Sequence, residues 1–196
     1  MRKIIPKHKQ NKKDKIKQFG VATALVFVMI ISVLGYSFSF SRQTEQSPDK
    51  RIIYNGFEFV KENGLWMADI KGLQFSFRYN PKQTKDLENI DFIIKDINDY
   101  YNQPLYIYSE NTEAETEIYR NLDQVVLRRQ YACLEEKCIE NFPNFPIKTC
   151  EDNFIIIEKS EDAGIKQNQS CIFIQGKQED LTKLTDRFLF EILGVQ

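Results

Sequence analysis

Gln18–Ser41 (QFGVATALVFVMIISVLGYSFSFS) runs for twenty-four residues without a charge. An α-helix rises about 1.5 Å per residue, so roughly 20 apolar residues cross a ~30 Å hydrocarbon core. Phe19–Phe40 has that length, and residues 18–41 are expected to form a transmembrane signal-anchor helix in the lipid bilayer. Before it, residues 1–17 carry eight Lys or Arg and a single acid, Asp14. Positive flanks stay in the cytoplasm. The expected arrangement is a single-pass cell-membrane protein with its N-terminus cytoplasmic and its C-terminal domain outside.

The formal net charge of −1 conceals this division, because residues 42–196 hold 19 basic and 27 acidic residues. A basic tail beside a membrane attracts anionic lipid at about 1 kcal/mol per charge. That reading is preferred to nucleic-acid binding. Three other readings of the apolar run compete. A cleaved signal peptide would be cut near Gly35-Tyr36-Ser37 or Ser37-Phe38-Ser39. A pilin-like leader cut after Gly20 would need a long helix beyond the membrane, which Ser41 and Pro48 interrupt. A buried core helix of this length has no place in so polar a body.

Residues 42–50 end in Ser-Pro-Asp-Lys and read as a linker. Residues 51–196 are enough for one extracytoplasmic domain with a real core. The fold class is α+β: an N-terminal antiparallel β-meander followed by a βα crossover unit. Asn55-Gly56, Asn63-Gly64 and Lys71-Gly72 are turn signals that divide residues 52–79 into short aromatic strands. Leu73, Phe75, Phe77 and Tyr79 alternate with Gln74, Ser76 and Arg78, which gives one buried face and one wet face. Trp66, Ala68 and Ile70 are expected on the same core. Asn80-Pro81 ends the sheet, since proline cannot donate to a ladder.

Leu87, Ile90, Ile93, Ile94, Ile97 and Tyr101 recur at helical spacing and predict a helix over 88–101. Leu105–Ser109 reads as a buried strand. Ala114, Ile118 and Leu122 stripe a helix over 113–123 whose first turn is acidic, which suits the positive end of its dipole. Val125–Cys133 reads as the returning strand; the alternative is one helix over 113–135. Residues 134–149 form a loop stiffened by Pro143 and Pro146. Phe154–Ile157 and Cys171–Ile174 are two apolar runs, and a last helix over 178–193 stops at Gly194.

Cys133, Cys138, Cys150 and Cys171 all follow the expected anchor. In an outward body an even number of cysteines implies disulfides first. Four cysteines allow three pairings; Cys133–Cys138 and Cys150–Cys171 are favoured, the second as a link between neighbouring strands. The intervening counts of 4, 11 and 20 residues fit neither a paired CxxC zinc site nor a thioredoxin motif.

The only histidine, His8, lies in the head, so the body holds no Ser-His-Asp triad, Cys-His pair or His ligand. No phosphate-binding glycine loop or EF-hand loop appears. No cofactor, metal or catalytic residue is assigned. Glu135-Glu136 and Glu151-Asp152 are the acidic clusters to inspect for paired-carboxylate chemistry. Asn168-Gln169-Ser170 is the one N-x-[ST] sequon, a candidate glycosylation site at Asn168.

The basic head, single anchor, YNGFEF strand, GLW turn, FSFRYNP segment, PIKTC and SCIFI pair, and TDRFLFEILG terminus together resemble uncharacterised membrane-anchored proteins of small-genomed archaea. The resemblance covers most of residues 20–196 and implies only an outward domain on an anchor. Three functions are carried forward. The first is a membrane-tethered interaction or assembly domain with a protein partner in the envelope or membrane. The second is a carboxylate enzyme acting on envelope polymers, of glycosidase or transferase type. The third is a thiol–disulfide protein working through Cys133 and Cys138.

Overall fold

Three tight turns fold residues 51–77 back on themselves. At each, a residue with positive φ precedes a glycine with positive φ: Asn55 and Gly56, Asn63 and Gly64, Lys71 and Gly72. That backbone matches the right-handed twist of the flanking strands. The computed structural model describes Thr23, residues 25–32 and residues 50–196, apart from 88, 92, 136, 137, 139 and 141. The resulting strands are β1 (Arg51–Tyr54), β2 (Phe57–Glu62), β3 (Leu65–Ile70) and β4 (Leu73–Phe77), an antiparallel sheet in sequence order. The expected meander is present. Its inner face carries Phe59, Trp66, Ala68, Ile70, Phe75 and Phe77, all buried.

Ser76 departs from the expected wet face and is buried. The cause lies at the outer edge of β4, where no strand pairs. Asn121 takes the place of one: its Oδ1 accepts the Ser76 N–H at 2.8 Å and its Nδ2 donates to Ser76 O at 2.8 Å. Gln124 Nε2 donates to Gln74 O at 2.8 Å farther along the same edge.

After the meander, Asn80 and Gln83 form a capping box around the short helix α1 (Pro81–Thr84). The helix expected over 88–101 is not formed. Asn89 has φ +58, and the chain then runs along a strand edge. Asp91 N–H donates to Ile165 O at 2.9 Å, and Ile165 N–H donates to Asn89 O. Only Ile97–Asp99 is helical, as a 3-10 turn capped by Asp96. Asn and Asp crowd this segment and hydrogen-bond to nearby backbone, which competes with a helix. Ile93 and Ile97 still reach the core, whereas Ile94 is 77% exposed.

The second sheet holds β5 (Pro104–Ser109), β6 (Arg128–Tyr131), β9 (Phe154–Lys159), β10 (Gly164–Asn168) and β11 (Cys171–Gly176) in the order β10-β11-β9-β5-β6. β11, β9, β5 and β6 are mutually parallel, and β10 is antiparallel to β11. Helix α2 (Thr112–Leu122) carries the chain from β5 to the parallel β6. The expected βα crossover is therefore present, and the single-helix alternative over 113–135 is excluded. The expected strand over 125–133 is shorter, because Val125 and Val126 lie in the turn after α2. Cys133–Leu134 (β7) pairs separately with Ile147–Lys148 (β8) inside the loop expected over 134–149.

Helix α3 (Leu181–Ile192) is buried around most of its circumference: nine of its twelve residues are buried, and Lys183, Arg187 and Glu191 form its one partly exposed stripe. Such a helix belongs at the centre of a protein. Phe190 meets Phe77 at 4.5 Å and Phe59 at 5.8 Å on the meander side. On the other side Leu184 packs so closely on Gly176 that a Cβ there would approach its Cδ1 to 2.8 Å. α2 and α3 thus form a middle layer between two sheets. A smaller cluster of Tyr106, Ala132, Phe154, Ile156 and Cys171 lies on the opposite face of the second sheet, with Leu134 and Cys150 packed against it.

Pro48–Gln196 is one compact unit and Met1–Ser47 the other. Residues 25–32 are helical, and Leu25 through Ile31 expose their apolar side chains. Among the described residues no helix is long and apolar enough to cross a membrane. Most of the expected anchor over 18–41, the head over 1–17 and residues 42–49 of the linker lie outside the described residues.

Candidate interaction surface

Cys133 pairs with Cys138 and Cys150 with Cys171, at Cα separations of 5.4 and 4.9 Å. These are the favoured partners. One detail differs: Cys150 lies in a turn, so its bond ties the loop to the first residue of β11 rather than joining two strands. Cys133 is fully buried and Cys138 is 5% exposed, which leaves an attacking thiolate little access to that bond.

The disulfide at Cys138 also places the aromatic residues that follow. Cys138 O accepts the Phe142 N–H at 2.9 Å, and Phe142 O accepts the Phe145 N–H at 3.0 Å. Pro146 O in turn accepts the Cys133 N–H at 2.9 Å, which closes the loop. Held this way, Phe142 stacks on Phe145 at 4.8 Å and Phe145 on Tyr131 at 5.5 Å, with planes within 11°. Tyr108 and Tyr119 meet the two ends edge-on at 6.4 and 6.3 Å. Each such pair contributes about 0.5–1.5 kcal/mol beyond area burial. Five rings from β5, α2, β6 and the loop form one stack, with Phe142 40% and Tyr131 44% exposed.

Acids and a guanidinium fix the outer rings. Tyr131 donates its hydroxyl to Glu115, and this bond, more than burial, raises its pKa. Burial and the bond to Tyr131 raise Tyr119. Burial and the Glu110 charge raise Tyr108. The Arg129 guanidinium lies 3.9 Å from the Tyr119 ring centre and pairs with Asp123. Lys148 stands 4.2 Å over Tyr106; hydrogen bonding to Tyr106 raises its pKa. The rings keep their protons at neutral pH and act as neutral, polarisable contacts.

This stack borders an open strand edge. β10, at the far side of the sheet, is covered by residues 89–91 through the bonds to Ile165. There a Cβ on Gly164 would come within 2.7 Å of Asn89 O. Among the described residues β6 pairs only with β5, and all four of its residues are exposed. Leu127, which precedes it, and Ile147 of β8 are also exposed, and Arg128 forms no ion pair among the described residues. Proteins usually blunt such edges.

No protein-family model, curated protein or solved structure matches this chain.

Of the acidic clusters singled out from the sequence, Glu135, Glu151 and Asp152 are described. Glu135 is exposed at a residue with φ +54, and Glu136 lies outside the described residues. Glu151 is exposed, and Asp152 accepts from Lys148 at 3.2 Å. Asn168 closes β10, exposed, opposite Cys171. Sequence reasoning missed two other carboxyls, Glu117 of α2 and Asp186 of α3, both fully buried. Arg120 Nη1 contacts both Glu117 oxygens at 2.8 and 2.9 Å. Asp186 Oδ2 accepts the Tyr79 N–H at 2.7 Å, and its buried Oδ1 has no hydrogen-bond partner among the described residues. Burial first, then the Glu117 charge, raises Asp186 well above the usual carboxylate range. Burial raises Glu117 too, opposed by Arg120. Two buried carboxyls whose charges repel do not both ionise. Arg120 favours the charge on Glu117, and burial favours the proton on Asp186. A separate hollow of about 390 Å³ beyond the carboxyl end of β5 is lined by Glu110, Glu113 and Glu179 with Asn111, Thr182 and Tyr79.

Proposed function

We propose that this chain is a membrane-tethered, extracytoplasmic binding domain that docks a protein partner on the β6 edge and the adjoining aromatic stack. The observation that carries the reading is the stack itself: rings this exposed are held in register by a disulfide-closed loop. A rigid, uncharged aromatic surface orders little on binding and so loses little entropy. The β6 edge suits strand addition, in which partner backbone pairs with free N–H and C=O groups. Arg128 favours an extended segment bearing an acidic side chain. The tether rests on the charge-free run over 18–41, the basic head and the exposed apolar side chains of residues 25–31. Disulfides suit an oxidising, outward location.

The polymer-enzyme alternative needs two acids facing each other across an open cleft, about 5–9.5 Å apart. Glu117 and Asp186 are instead fully buried in the core. The hollow with Glu110, Glu113 and Glu179 is what still favours an enzyme, and Glu113→Gln would remove such an activity without altering partner capture.

The test is site-specific photocrosslinking in cells, with the reactive residue at position 130 or 142 and a control at exposed position 82. Reproducible adducts with one partner at 130 and 142, absent at 82, are expected. Phe145→Ala and Arg128→Glu should each reduce them while leaving Trp66 fluorescence native. Adducts that ignore both substitutions, or none at 130 and 142, refute the proposal.

A further inference from the structure

Asparagine carboxamides in this domain are mostly spent on backbone. Asn111, Asn121 and Asn153 each donate Nδ2 to a carbonyl at 2.8–3.1 Å. Asn168 departs from that pattern. It is exposed, and neither its carboxamide nor the Ser170 hydroxyl makes a hydrogen bond among the described residues. Both stand at a two-residue hairpin tip: Asn168 pairs with Cys171, and Gln169, with φ +50, turns the chain between them. Residues 168 and 170 are thus the two sequon positions, with both side chains free of hydrogen bonds among the described residues, while the Ser170 backbone is held by Cys150, Phe154 and Lys95.

We infer that Asn168 is an N-glycosylation site, an inference that rests on the outward topology proposed above. The donor is a lipid-linked oligosaccharide. The Asn168 amide nitrogen bonds to C1 of the first sugar, the C1–oxygen bond to the lipid phosphate breaks, and the amide proton leaves with that phosphate. No redox partner is needed. The position suits a bulky polar adduct. β10 is the edge farthest from β6 in the five-stranded order, so a glycan there leaves the docking edge clear. It also adds a second cover to an edge that residues 89–91 seal only in part.

The experiment uses the full chain expressed in a host that glycosylates exported Asn-X-Ser/Thr proteins. Intact mass and peptide mapping are read beside protease accessibility of the domain in the same membranes. The expected result is an outward domain with a sugar adduct on the peptide containing Asn168. The adduct should be lost in Asn168→Gln and Ser170→Ala and kept in Ser170→Thr. An outward domain with unmodified Asn168 overturns this inference and leaves the topology standing. An inward domain overturns both, and an adduct that survives Asn168→Gln places the modification elsewhere and refutes the site.

Discussion

Replacing Asp186 with Asn isolates one proton in the middle layer of the domain. Asn keeps the geometry: its Oδ1 accepts the Tyr79 N–H, and its Nδ2 takes the place of the carboxyl oxygen that has no partner among the described residues. What changes is titration. Asp186 in the folded chain holds its proton well above the range of an exposed carboxyl. Its favourable contribution is complete below the unfolded value, about 4, and is lost as pH rises toward the folded value. Over that interval the folded chain retains one proton that the unfolded chain releases, and wild-type stability falls by about 1.4 kcal/mol per pH unit on this account. Because Glu117 and Asp186 titrate as a pair, the difference between wild type and variant reports their shared proton. With a urea m-value of about 2 kcal/mol/M, the two midpoints should part by about 0.7 M per pH unit, the variant being the more stable at higher pH. Trp66, the only tryptophan and a buried one, gives the fluorescence signal. Urea curves from pH 4 to 8 with disulfides intact decide the matter. Parallel midpoints, or a wild type that gains on the variant as pH rises, refute the shared proton.

Two further predictions concern stability. Asn121→Ala leaves the buried Ser76 N–H and C=O without partners, at about 1–3 kcal/mol for each group; a loss below 1 kcal/mol in the same urea assay would show that water or a neighbour replaces the amide. The pair Cys150→Ala and Cys171→Ala opens a link spanning 21 residues and should cost about 3 kcal/mol, against about 2 kcal/mol for Cys133→Ala with Cys138→Ala, which spans 5. The reverse order, read from thermal unfolding, would mean that packing around the loop outweighs chain entropy.

The meander was legible because turn chemistry and alternation agree over residues 51–77. The crossover was legible because Ala114, Ile118 and Leu122 stripe α2 between two apolar runs. Residues 88–101 misled, since six apolar residues at helical spacing outweighed the Asn and Asp among them, although those polar residues decide the backbone. β10 went unseen because GIKQN has a single large apolar residue, Ile165, and is held by its neighbours. The cysteine partners followed from spacing. The aromatic stack did not, because its rings come from four separated segments. The carboxyl pair did leave a trace. Glu117 falls on the stripe of Ala114 and Ile118, and Asp186 on that of Thr182 and Leu189, so each is an acid at a core position.

The loop that carries Phe142 and Phe145 covers only the minor apolar cluster, while the principal core lies on the other side of the second sheet. Its shape is maintained by covalent bonds and a few backbone contacts, with little dependence on how the main core is filled. A change in its length or charge therefore leaves the packing around α3 in place. The domain thus divides in two: a scaffold constrained by packing on both faces of α3, and a cover whose outer residues answer to little of that packing.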